Sequence, residues 1–212
     1  MIEIVKNFLQ GLKAYSAPIF PNFRPVTSIV SASWYANCKP WAGIVIHHSA
    51  TVDGANNDWG NIRHYHMSYR IDGEIVDETT FEQRQMLGHG TSFEKPWSDI
   101  GYHGGWEMVN GTYVFKVGRP WGVAGAHAGF KGNNTYNDSY LGLCAIGNFD
   151  KALPARELWE LALSTVREIK QHFGFSNDKI LGHREVYDQV GIPRLKTCPG
   201  TLWDMNKFRG EL

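Results

Sequence analysis

Apolar residues along this chain fall into short dense runs separated by longer periodic stretches, and the two spacings predict different elements. Ile44-Val45-Ile46 is a compact β-branched run, as expected of a central strand buried on both faces. Leu141 to Ile146 and the shorter Ile180-Leu181 read the same way. Between them the period lengthens. Ile2, Val5, Phe8, Leu9 and Leu12 are spaced as one face of a helix over 2–14, and Ile62, Tyr65, His66 and Tyr69 as one over 59–69. Val76 to Leu87 predicts a further helix, with Asp77 or Thr79 near its start and Gly88 as its stop; Pro154 to Phe173 predicts a long one closed by Gly174. Tyr102–Val109 and Thr112–Val117 flank Asn110-Gly111, a strong hairpin signal. Residues 15–40, rich in Pro, Ser and Asn, predict irregular chain. Apolar strands interleaved with helices, plus one antiparallel hairpin, predict an α/β fold: a single domain over 41–212 with a central mixed β-sheet flanked by helices, preceded by an N-terminal extension over 1–40.

Composition narrows the function classes. With 212 residues the chain can bury a sizeable core, and 42% hydrophobic against 20% charged residues excludes general disorder. Twenty-one basic residues balance 21 acidic ones and are dispersed, so neither nucleic acid nor an anionic membrane is an expected partner. No run approaches the ~20 apolar residues of a membrane span. The start, Met-Ile-Glu-Ile-Val-Lys, lacks a basic leader and a long apolar stretch, which predicts synthesis in the cytoplasm without a signal peptide. Three cysteines are too few for a disulfide framework. Cys144 lies in an apolar strand and reads as a core thiol, Cys38 has no evident partner, and Cys198 stands in Lys-Thr-Cys-Pro-Gly.

Cys198 has company elsewhere in the chain. His47 follows the first strand and His183 the last one, and two imidazoles with one thiolate make a good ligand set for Zn²⁺ that leaves a fourth position open. Each residue alone is weak: a histidine ending a strand is more often structural, and Cys-Pro-Gly is by itself a turn. His48 competes with His47, although consecutive strand residues point to opposite faces and only one of them can join a site.

Seven motifs occur in order: Ile-Val-Ile-His-His-Ser-Ala-Thr (44–51), Ile-Arg-His-Tyr-His (62–66), Asp-Ile-Gly-Tyr-His (99–103), Gly-Ala-His-Ala-Gly (125–129), Leu-Gly-Leu-Cys-Ala-Ile-Gly-Asn-Phe (141–149), Gly-His-Arg-Glu (182–185) and Lys-Thr-Cys-Pro-Gly (196–200). Over about 41–205 the chain thereby resembles the zinc-dependent N-acetylmuramoyl-L-alanine amidases of the type-2 amidase and peptidoglycan-recognition family, especially the short phage lysozyme-type enzymes. The resemblance implies His47, His183 and Cys198 as zinc ligands, Tyr102 and Lys196 as catalytic residues, and His127 as a substrate-binding residue. It implies a hydrolase with bacterial peptidoglycan as its partner; the missing leader and compact single domain fit a monomeric endolysin of phage or prophage origin that reaches the cell wall through a membrane pore made by another protein. A cytosolic amidase recycling muropeptides and a recognition module that binds without cutting are the alternatives. Residues 68–98 are longer than in compact relatives and are expected to shape one wall of the substrate groove.

Overall fold

Strand β1 (Gly43–His48) is buried along its whole length, which its unbroken apolar run requires. In the computed structural model, which describes residues 29–52, 58–130 and 132–212, β1 lies inside a five-stranded sheet. It pairs in parallel with β7 (Tyr140–Ala145) on one side and β8 (Ile180–Gly182) on the other. Beyond β7 come β5 (Gly104–Val109), parallel to it, and β6 (Thr112–Val117), which closes the hairpin antiparallel to β5. Asn110 and Gly111 both have positive φ, at 50° and 78°, the conformation that a two-residue hairpin of this type demands. The expected mixed sheet is therefore present. Its order is β6-β5-β7-β1-β8.

Alternation along the central strands separates two faces. Ile44 and Ile46 of β1, with Leu141, Leu143 and Ala145 of β7, face the main core. There they meet Leu158, Ala162, Leu163, Val166 and Ile169 of α5 (Arg156–Phe173), residues spaced to form one helical stripe. Gly174 takes up the left-handed conformation that ends this helix, as expected, whereas its start falls at Arg156 because Ala155 is still extended. Trp106 crosses to α5 and donates its indole N–H to Thr165 Oγ1 at 3.0 Å. The opposite face carries Val45, His47, Gly142 and Cys144, a sparser set that leaves room for chemistry.

The helix expected over 2–14 lies outside the described residues. From residue 29 onward the chain before β1 is part of the core: Val30 is fully buried, and Trp34 and Tyr35 of the short helix α1 (Ala32–Tyr35) pack against the same cluster. Backbone N–H groups of Ile29 and Val30 donate to the Glu168 carboxylate on α5.

After α2 (Trp59–His66), the stretch 68–98 builds a lobe that the sequence pattern did not resolve. β2 (Tyr69–Ile71), β3 (Glu74–Val76) and β4 (Phe93–Glu94) form a second, antiparallel sheet in the order β3-β2-β4. Helix α3 (Glu78–Leu87) starts at Asp77, whose carboxylate accepts from Thr80 N, and ends at Gly88, as the sequence predicts. Arg70, buried, joins the lobe to the rest. Its guanidinium lies over the Tyr65 ring at 4.5 Å and the Trp97 ring at 5.4 Å and pairs with Glu94 at 2.5 Å. The remaining described helices are α4 (Thr135–Ser139), α6 (His183–Gln189) and α7 (Met205–Gly210).

Candidate metal centre

Three separate pieces of chain deliver the candidate ligands to one point. His47 is the second-last residue of β1 and faces away from the main core, level with Cys144 on the neighbouring strand. His183 opens α6 directly after β8, which pairs with β1, so the sheet itself holds the two histidines side by side. Their ring centroids are 4.7 Å apart. Cys198 comes from the following loop, and its Sγ lies 3.6 Å from His47 Nδ1. Ligand atoms of His47, His183 and Cys198 all fall within 4.8 Å of one another, and all three residues are buried.

The donor set fits a tetrahedral ion. Bond lengths of roughly 2.3 Å to sulfur and 2.0–2.1 Å to nitrogen place neighbouring donors about 3.6 Å apart in a tetrahedral zinc site, the separation found between Cys198 and His47. Burial, reinforced by the imidazoles of His183 and His127 and by Lys196, holds His47 well below its ordinary pKa. His183 is lowered to about 4, chiefly by burial. Both rings are therefore neutral at pH 7 and able to ligate. Burial pushes the Cys198 thiol up to about 12, so without a cation beside it the group keeps its proton.

Arg184 and Glu185, quoted above only as part of a motif, explain why the Cys198 loop folds back onto α6. The Arg184 guanidinium donates to the carbonyls of Thr197 (3.0 Å), Gly200 (2.6 Å) and Trp203 (2.8 Å), and its backbone N–H donates to Cys198 O at 2.7 Å. Asp150 holds the same loop from the other side, accepting from Thr197 Oγ1 and Thr201 N. Glu185 accepts from Gly182 N at the start of α6 and from both terminal nitrogens of Arg209 on α7. His48, on the opposite face of β1, accepts from Phe149 N through Nδ1 and stays outside the ligand group.

Tyr102 sits just before β5, two residues earlier than the observed strand begins, with its ring 5.1 Å from that of His47. Burial and the nearby Cys144 and Cys198 sulfurs keep its phenol well above the ordinary range, so it remains a donor. Arg119 fixes the preceding turn by donating to the carbonyls of Asp99, Ile100 and Ala124. Lys196 is exposed, two residues before Cys198, and its charge reaches His47, His183 and Cys198 alike. His127 borders the centre as well, yet neither of its ring nitrogens is open to a ligand. Nδ1 lies 3.0 Å from His47 Nε2, and Nε2 lies 3.1 Å from Tyr140 O.

Two clefts reach residues of this site, one at Tyr102 and the other at His183 and Lys196. One, of about 550 Å³, is lined by Ser49, Asn61, Tyr65, Ile75 and Tyr102 among others. Ile75 belongs to β3, so the 68–98 lobe does contribute to a cleft wall. The other, of about 840 Å³, is lined by Trp97, Phe130, His183, Tyr187, Leu195 and Lys196 among others.

Peptidoglycan-recognition protein SD of Drosophila simulans is 32% identical over 123 residues, 57% of this chain and 61% of that protein. Peptidoglycan-recognition protein LB of Drosophila melanogaster is 32% identical over 113 residues, 50% of this chain and 40% of that protein. The chain thus spans about three fifths or less of the length of these relatives. Among solved structures, the endolysine N-acetylmuramoyl-L-alanine amidase LysCS from Clostridium intestinale URNW superposes with a TM-score of 0.51 at 19% identity, covering 87% of this chain and 90% of its own. A selenomethionine derivative of AmpD gives 0.52 at 15% identity, over 83% and 89%. At such identities the superpositions speak for the fold. The model of the family described as N-acetylmuramoyl-L-alanine amidase matches residues 37–201, a span that holds every strand of the main sheet and all three clustered ligands. By that match the chain belongs to the N-acetylmuramoyl-L-alanine amidase family.

Proposed function

We propose that this protein is a zinc-dependent N-acetylmuramoyl-L-alanine amidase that hydrolyses the bond between N-acetylmuramic acid and L-alanine in peptidoglycan. The observation that carries the reading is the convergence of His47, His183 and Cys198 in one buried cluster, with His183 lining a cleft of about 840 Å³. Zinc held there supplies Lewis acidity and activates water near neutral pH. The protein's own groups do the rest. His47 and His183, neutral and buried, hold their ring planes through contacts with Tyr102, His127 and Tyr187. The Lys196 ammonium offsets negative charge that develops on the scissile carbonyl oxygen, a preorganised interaction stronger at a partly dry site than in water. Tyr102, still protonated, donates a hydrogen bond toward the same reacting centre. The clefts lined by Tyr102 and by His183 and Lys196 take the substrate and hold the amide in register.

We place the enzyme among wall-lytic endolysins acting on intact peptidoglycan, a reading supported by the matching extent of the LysCS fold. Sequence kinship to peptidoglycan-recognition protein SD favours a second reading, in which the clefts bind the wall without cutting it. Wild type and His183→Ala, each mixed with intact sacculi, separate the two. The amidase reading expects wild type to clear the suspension and His183→Ala to sediment with the wall without clearing it. Equal sedimentation with no clearing by either protein would establish recognition alone.

A further inference from the structure

A single file of hydrogen bonds runs from the backbone of β7 to the candidate metal centre. It begins at Tyr140 O, a carbonyl that can only accept, so His127 Nε2, 3.1 Å away, must carry the hydrogen. A neutral imidazole has one N–H, and His127 Nδ1 is then a bare acceptor. His47 Nε2, 3.0 Å from it, must donate. By the same rule His47 Nδ1 carries no hydrogen, and it is this atom that faces Cys198 Sγ at 3.6 Å. The direction of the whole file is set by one backbone carbonyl.

The groups around His127 keep that assignment. His127 is buried, and each of its ring nitrogens has one partner, Tyr140 O for Nε2 and His47 Nε2 for Nδ1. The ring is also confined. A Cβ on Gly125 or on Gly142 would come within 2.4 Å of it, so both glycines are needed to make its slot. The loop before it is anchored by Asn137 Oδ1, which accepts from both His127 N and Ala128 N. Gly-Ala-His-Ala-Gly and Leu-Gly-Leu therefore form one device, assembled only when β7 pairs with the rest of the sheet.

We propose that His127 is a positioning residue: it locks His47 in the Nε2–H tautomer, so that Nδ1 is presented to the metal before any metal arrives. The inference rests on the zinc reading above, and it gives His127 a place behind a ligand in addition to its place in the wall of the larger cleft. An outer partner of this kind raises the basicity of its ligand and removes the cost of choosing tautomer and ring orientation at the moment of binding. Removing it should weaken metal affinity by roughly 10–100-fold.

Two measurements test it, neither relying on catalysis. Long-range ¹H–¹⁵N correlation spectra of metal-free wild type should show hydrogen on Nε2 and none on Nδ1 for both His47 and His127. Hydrogen on His47 Nδ1 would overturn the proposal, and this test stands even if a variant fails to fold. Chelator competition then gives zinc affinity for His127→Leu, which lacks any acceptor, and His127→Asn, whose amide oxygen can take the hydrogen bond from His47. The expected order is wild type, then Asn close behind, with Leu lower by the factor above and all three folded by thermal unfolding. Leu binding as tightly as wild type would refute the role. Failure of wild type itself to bind zinc would instead defeat the zinc reading, with the spectra still deciding the tautomer.

Discussion

Gly142→Ala is the smallest change that probes how the site is held. Gly142 lies in mid-strand with no left-handed φ, and at such a position exchanging glycine for alanine usually stabilises by about 0.4–1 kcal/mol. Here the sign should reverse. The added Cβ would lie 2.4 Å from both Cγ and Cδ2 of His127, where carbon atoms normally sit about 3.5–4.0 Å apart, so the ring must retreat by roughly 1 Å. It has nowhere to go: Gly125 closes the slot beside it, and its nitrogens are tied at 3.0 and 3.1 Å to His47 and Tyr140. The backbone cannot yield either, since Gly142 N–H donates to His103 Nδ1 and Gly142 O accepts from His103 N. Overpacking of this kind costs about 1–3 kcal/mol, and one disrupted buried hydrogen bond adds about 0.5–1.5 kcal/mol. At about 2–4 °C per kcal/mol for a chain of this size, Tm should fall by roughly 5–15 °C. Thermal unfolding of metal-free protein measures it, and adding His127→Ala in the same chain should recover part of the loss by opening the slot. A Gly142→Ala variant as stable as wild type would refute the packing argument.

Three further outcomes follow from the same geometry. With its thiol pushed up to about 12, Cys198 must give up a proton on ligating, so calorimetry in buffers of different ionisation enthalpy should find about one proton released per zinc at pH 7; Cys198→Ser should release none and lose the metal on gel filtration. His103, lowered from 6.5 to about 4 by burial, is neutral when folded and takes up a proton more readily when unfolded, so its contribution is complete above pH 6.5 and is lost as pH falls toward 4. That shift is worth about 3 kcal/mol, and urea unfolding at stepped pH should show a shallower acid loss in His103→Gln, whereas equal slopes would count against it. Phe81, buried between Tyr69 and Phe93, holds the small lobe together; Phe81→Ala should cost about 3–5 kcal/mol locally, seen as faster amide exchange over 69–94 with β1 and β7 unchanged and zinc affinity retained.

The main sheet was legible because its strands are strongly patterned. Ile44-Val45-Ile46 and Leu141–Ile146 are apolar on both faces, and Asn110-Gly111 fixes its own turn. The small sheet escaped because its strands are two or three residues long and β3 is mostly exposed, so no alternation develops. Its one local signal, Asp72-Gly73, was present: both have positive φ, and Asp72 also accepts from Thr91 N and Ser92 N. The histidines and cysteine could be picked out by residue type, and the structure does bring them together. What no spacing could reveal was the support around them. Arg184 reaches the Cys198 loop, and His127 meets His47 across 80 residues, only through the tertiary fold. His127, which the resemblance implies as a substrate-binding residue, lines the larger cleft, and its ring is at the same time packed tightly against Gly125 and Gly142, a contact that only the fold reveals.

The proposed function stands or falls on whether the His47, His183 and Cys198 cluster works with zinc on the cell wall. The most direct measurement strips the protein of metal, adds back Zn²⁺ in steps, and counts new alanine amino termini released from intact peptidoglycan. A zinc amidase should release none when stripped and should show a rise that saturates at one zinc per chain. Sedimentation with the wall but no new termini at any zinc level would contradict it.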